Sequence, residues 1–127
     1  MIAIIAVLIV VFTRTQNKLL ELKEDVFLQQ AQVETNLQRR SDLIPNLVET
    51  VSSYATFEET VFAEIADARE SLSESIESGD IESMNEANTA LDSALNKLLA
   101  ISENYPELQA SEQFIALMDE LAGTENR

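Results

Sequence analysis

The first twelve residues carry no polar side chain, and neither Gly nor Pro occurs before Pro45. This opening run reads MIAIIAVLIVVF and is followed by Thr13 and Arg14. Gly and Pro are the residues that most readily interrupt a helix, so the chain up to Pro45 can form one helix without a break. The sequence therefore predicts that an apolar segment runs directly into a more polar helix.

Three interpretations of the apolar run compete. A secretory signal peptide needs a basic start and a small-residue cleavage site, and neither is present. A core helix of a small domain would carry a polar face, which this run lacks. A membrane anchor is favoured, because Arg14 follows at once and can reach the lipid headgroups. The predicted anchor lies within residues 1–15 and consists of Ile2, Ile4, Ile5, Val7, Leu8, Ile9, Val10, Val11 and Phe12.

The length and flanks of the anchor add two expectations. Twelve helical residues cover about 18 Å, whereas the hydrocarbon core is ~30 Å thick. We therefore expect an incomplete anchor, whose first residues precede Met1 or lie outside the hydrocarbon. Arg14, Lys18 and Lys23 follow the run, and the positive-inside tendency favours a cytoplasmic bundle, with the extracytoplasmic or periplasmic side as the alternative.

Residues 16–127 are predicted to form a helical bundle domain, because apolar residues recur at steps of three and four without the alternation typical of strands. The first helix carries a stripe of Leu19, Leu22, Val26, Val33 and Leu37, in which Gln29 takes the missing place. Further helices are predicted over residues 43–78, 81–101 and from 111 onwards. The expected fold is all-α, an up-and-down antiparallel four-helix bundle continuous with an N-terminal transmembrane helix. The last helix looks truncated, and either further residues or a neighbouring chain would cover the apolar surface left exposed beside it.

Two turns are predicted between these helices. Basic residues at 39 and 40 suit a helix C-terminus, Ser41 or Asp42 suits the next N-cap, and Pro45 suits a first helical turn. A tight turn is therefore expected over residues 39–46, with a single Pro-kinked helix as the alternative. At the second turn, Gly79 can adopt the left-handed conformation and Asp80 can cap the helix that follows.

The composition excludes several classes of function. The chain has no Cys and no His, so disulfides, Cys/His zinc sites and His- or Cys-based catalysis are ruled out. A formal charge of −15 disfavours nucleic acid. Glu58 falls on an apolar seam and is the best single candidate for a buried acid, while the acids around Gly79 lack the spacing of a calcium-binding EF-hand loop. No catalytic residue, metal ligand or cofactor is predicted.

The segment from Leu37 to Val51, LQRRSDLIPNLVETV, resembles the signature of the LemA family. Tyr54-Ala55 and Ala68-Arg69 fit the same pattern. Asn17-Lys18-Leu19 resembles the family's segment after its anchor, and residues 123–127 resemble the lead into its last helix. This resemblance implies one N-terminal membrane helix followed by a four-helix bundle, and it implies no established enzymatic activity.

These features together predict a membrane-anchored helical scaffold or assembly protein that self-associates into a homo-oligomer and contacts lipid through its N-terminal helix. The alternative is a membrane-tethered adaptor that binds an unidentified protein through its distal turns. The candidate docking turn consists of Arg39, Arg40, Asp42, Pro45, Asn46 and Tyr105.

Overall fold

The computed structural model describes residues 1–55 and 59–125. Five helices form the fold, and the described residues contain no strand: α1 (Ile2–Ser52), α2 (Glu59–Ser78), α3 (Ile81–Ser102), α4 (Pro106–Gln109) and α5 (Glu112–Glu125). The predicted all-α fold, in which a long apolar helix leads into a helical bundle, is confirmed. The chain divides within α1 into two compact units, Met1–Val33 and Glu34–Arg127.

The second unit contains the bundle. Polar pairs fix the helix directions: Arg69 of α2 bonds to Ser41 of α1, and Lys97 of α3 pairs with Glu64 of α2. Each pair joins positions that are comparably far from the connecting turn, as expected for antiparallel neighbours. One continuous core is formed by buried side chains of the last part of α1, of Ala55 just after it, and of α2, α3, α4 and α5. Its members are Ile44, Leu47, Val51, Ala55, Ile65, Ala68, Leu72, Ala87, Leu91, Ala94, Leu95, Leu98, Leu108, Phe114, Leu117 and Leu121.

The predicted turn over residues 39–46 is wrong, because α1 continues through it to Ser52 with Pro45 in its interior. Proline lacks the N–H that would bond to the carbonyl four residues earlier, so the Ser41 carbonyl loses its helical donor. Arg69 replaces that donor, since its Nε lies 3.0 Å from the Ser41 oxygen. A side chain of the neighbouring helix α2 thus donates to the carbonyl that Pro45 leaves without a helical donor. The helix α1 therefore continues past Pro45.

The helix α1 ends instead at Ser52. The backbone N–H groups of Tyr54 and Ala55 both bond to the carbonyl of Val51, which closes the end of α1. Tyr54 lies beyond the end of α1 and is 40% exposed. Glu58, the best single candidate for a buried acid, lies outside the described residues.

The second predicted turn is confirmed. Gly79 has a φ of 70°, in the left-handed region, and the Asp80 side chain accepts a hydrogen bond from the Glu82 N–H at the start of α3. The Ser83 hydroxyl, together with the backbone N–H groups of Glu82 and Ser83, holds the pKa of the Asp80 carboxyl below its ordinary value. The carboxyl of Asp80 therefore serves as a helix cap.

Replacing each of the two glycines with alanine should change stability in opposite directions. A Cβ at Gly79 would meet no atom within 4 Å, so Gly79→Ala costs only the backbone strain of a positive φ, about 1 kcal/mol. Gly123 lies inside α5 with equally open space, so Gly123→Ala should raise the free energy of unfolding by roughly 0.5 kcal/mol. Urea unfolding of the full chain in detergent, followed by circular dichroism, measures both. A stabilising Gly79→Ala would contradict the left-handed assignment.

Candidate functional site

The predicted anchor residues all lie on α1 with their side chains exposed, as part of the first compact unit. Among the described residues, α1 is the one helix long and apolar enough to cross a membrane, judged by length and composition. Its most apolar window of 18 residues has a mean hydropathy of 1.5, and none of that window is buried. A helix with this composition cannot bury its apolar surface within the described part of its own chain, which is consistent with single-pass anchoring.

The part of the first unit beyond Arg14 is also rich in exposed apolar side chains. The first four members of the predicted stripe, Leu19, Leu22, Val26 and Val33, are exposed by 51–63%. Leu20 and Phe27 lie on a neighbouring face and are exposed as well. Leu37, the last member of the stripe, is partly buried and packs against the bundle core. The four members before it therefore lie outside that core.

The six predicted docking residues do not form a turn, and the structure distributes them along the second unit. Asp42, Pro45 and Asn46 are exposed on α1. Arg39 pairs with Glu120 of α5 across 2.7 Å between Nη2 and Oε1. Tyr105 is partly buried against the core just before α4.

Arg40 is the docking residue whose placement differs most from the prediction. Its side chain is only 6% exposed and pairs with Asp92 in the middle of α3. Its Nη1 also donates to the Asn88 amide oxygen at 2.8 Å, and the Asn88 amide nitrogen lies 3.5 Å from the other Asp92 oxygen. Asp92 precedes the C-terminal end of α3 by ten residues. Arg40 therefore contacts α3 about 15 Å from that end, which is the end that Tyr105 follows. Arg40 is therefore a buried element of helix packing.

A groove of about 420 Å³ lies beside this pair, between α1, α3 and α5. It is lined by Arg40, Leu47, Asp92, Leu95, Asn96, Leu99, Met118, Leu121 and Ala122. Sequence reasoning missed Asn88, Asp92 and Glu120 as partners of the two arginines. The spacing of Asn88 and Asp92, one helical turn apart, was the available signal, but it does not identify a partner on another helix.

Among the acids near Gly79, Asp80 has a defined structural role. Asp80 uses its carboxylate to accept hydrogen bonds from Ser83 and from the Glu82 backbone. Within residues 1–55 and 59–125, no group of three or more Asp, Glu, His or Cys side chains is placed to hold a metal ion. The geometry around this turn supports helix capping.

Comparison with known proteins agrees with the motif and the fold. The sequence profile described as the LemA family matches residues 29–127. The magnetosome protein MamQ of Magnetospirillum gryphiswaldense is 27% identical over 154 aligned positions, which cover all of this chain and 57% of that relative. The present chain thus spans little more than half the length of this relative. The profile match includes Ser41 and Arg69, which a hydrogen bond joins across two helices. Because the profile covers most of the sequence, the chain belongs to the LemA family.

Proposed function

We propose that this protein is a membrane-anchored helical scaffold that self-associates into a homo-oligomer and carries out no catalysis. One observation supports this most strongly: the large apolar side chains of the first unit, from Met1 to Val33, are exposed, whereas the second unit has a core of its own. Exposed apolar surface of this extent is typical of membrane and protein contacts. In this proposal, lipid covers the apolar run at the start, and a protein surface covers the exposed apolar stripe beyond Arg14.

Membership of the LemA family and the similarity to MamQ support a membrane-associated protein of this type. The absence of Cys and His from the sequence removes the commonest catalytic and metal-binding side chains. These observations favour an assembly role over an enzymatic one.

Self-association is tested by measuring the mass of the full chain extracted in mild detergent. Blue-native electrophoresis and mass photometry in nanodiscs should both give a discrete multiple of the mass of one chain. A monomer at every concentration would overturn the proposal. A stoichiometric heterologous protein that co-purifies with a single copy would instead favour the adaptor alternative, for which Asp42, Pro45 and Asn46 are exposed on α1.

We further propose that the bundle lies on the cytoplasmic side. Arg14, Lys18 and Lys23 follow the apolar run, and acidic residues contribute little to the positive-inside tendency. Because the sequence has no Cys, a Ser53→Cys variant gives one reporter thiol in the bundle unit. A membrane-impermeant maleimide should label it in inside-out vesicles and not in intact cells. Labelling in intact cells would place the bundle outside.

A further inference from the structure

We infer that Leu19, Leu22, Val26, Gln29 and Val33, here called the α1 seam, form a parallel contact with the same residues of a second copy of this chain. The inference rests on the proposed anchoring and self-association and names the surface that performs it. The four apolar members of the seam are exposed by 51–63%, and Gln29 is exposed too. They follow one another at steps of three and four, the spacing of a coiled-coil contact line.

The same register extends into the apolar run. Ile5, Leu8, Phe12 and Thr15 continue the alternation of three and four residues towards the N-terminus. Every side chain before Thr13 is apolar, so the pattern there is permitted but not diagnostic. The Thr15 hydroxyl bonds to the Val11 carbonyl at 2.8 Å, so it needs no partner across an interface. The register thus spans four heptads, about the length that a stable coiled coil needs.

The seam chemistry favours a second copy over a different partner. In the heptad repeat, Val26 and Val33 occupy a positions and Leu22 occupies a d position. β-Branched residues at a with Leu at d favour a parallel coiled coil of two helices. Gln29 would be buried in such a contact, and an apolar partner would leave its amide without hydrogen bonds. A facing Gln29 offers both a donor and an acceptor, so two copies in register satisfy each other. Anchoring in one membrane holds two copies parallel and keeps their concentration high.

The charged residues that flank the α1 seam predict how salt affects the contact. In this register Lys18 of one copy faces Lys23 of the other, and like charges oppose association. Salt screens exposed charges, so raising NaCl from ~50 to ~500 mM should strengthen the contact. Dissociation by salt would contradict the seam, because it would indicate that opposite charges hold the copies together.

Disulfide trapping tests the seam directly, since the native sequence contains no Cys. The full chain with Val26→Cys should form a disulfide dimer rapidly in native membranes under mild oxidation, because facing seam positions are close enough for the bond. Ala31→Cys, on the opposite side of α1, and Phe27→Cys, on the neighbouring face, are the controls and should react slowly. Equal rates at the three positions, or fastest reaction at Phe27→Cys, would overturn the inference.

A matched pair of double variants provides an independent readout. L22S/V26S should raise the dissociation constant roughly tenfold or more, whereas L20S/F27S should change it less than about threefold. All four side chains are exposed in the single chain, so neither variant should disturb its folding. If the native chain is oligomeric but the seam neither crosslinks nor responds to L22S/V26S, the seam contact is refuted while the proposed self-association is retained. If the native chain is monomeric, both the seam contact and the proposed self-association are refuted.

Discussion

Asp92→Ala is expected to lower the free energy of unfolding by about 3 kcal/mol, more than Arg40→Met does. Removing Asp92 leaves the Arg40 guanidinium in a site where only 6% of its side chain reaches solvent. Asn88, which also accepts a hydrogen bond from Arg40, is neutral and cannot supply the negative charge that is removed. Removing one partner of a buried ion pair is among the costlier changes in a protein interior.

Arg40→Met should lower the free energy of unfolding by only about 1 kcal/mol, because the Asp92 side chain is more exposed than that of Arg40. The Asp92 side chain is 38% exposed, so water can solvate its carboxylate when the arginine is gone. Met also retains most of the packing of the Arg40 stem. The double variant should resemble Arg40→Met alone, since it contains no unpaired buried charge.

Urea unfolding of the full chain in detergent, monitored by circular dichroism, measures these differences. Glu64→Ala is the control, because the pair of Glu64 with Lys97 is also interhelical but both side chains are about half exposed. Its cost should stay below about 0.5 kcal/mol. If Asp92→Ala proved no more destabilising than Arg40→Met, the burial of the guanidinium would not be what makes this pair important.

The second large effect concerns the proline inside α1. Arg69→Met should destabilise the bundle by about 2 kcal/mol, because it removes the donor to the Ser41 carbonyl. Ser41 is only 2% exposed, so water cannot readily replace that donor. In a Pro45→Ala background the new N–H of residue 45 bonds to the same carbonyl, and Arg69→Met should then cost less than about 1 kcal/mol.

A double-mutant cycle over Pro45 and Arg69 isolates this dependence. The four chains are compared by urea unfolding under identical detergent conditions. The expected coupling energy is about 1 kcal/mol or more, with Arg69→Met less damaging when Pro45 is absent. Additive effects of the two substitutions would show that Arg69 stabilises the bundle without serving the Ser41 carbonyl.

These contacts show where sequence reasoning succeeded and where it could not. The Gly79 turn and the Asp80 cap were predictable, because the residues that form them are adjacent in sequence. The helix through Pro45 was predicted as a turn, because the arginine that permits it lies 28 residues away from Ser41. A local rule for proline cannot include a donor supplied by another helix.

The break after Ser52 was missed for a related reason. No Gly or Pro lies between Pro45 and Gly79, so local signals favoured one helix from 43 to 78. The placement of Arg40 was wrong together with the turn, because Arg40 was assigned to a helix end when it belongs to the interface with α3. The apolar face of the first unit, by contrast, was readable from spacing alone, and the structure shows its side chains exposed.

The order of contacts along the chain bears on how the bundle forms during synthesis. The pair of Glu64 and Lys97 joins residues 33 apart, Arg40 and Asp92 are 52 apart, and Arg39 and Glu120 are 81 apart. Arg69 and Ser41 are only 28 residues apart, so α1 with α2, and α2 with α3, can pack before α5 is made, since short loops close at the lowest entropic cost. At about 10 residues per second, the ribosome needs roughly 5 seconds to make the chain between Leu47 and Leu98. For that interval the core-facing side of α1 lacks the α3 part of its partner surface, which makes this a stage at which the nascent chain is exposed to aggregation.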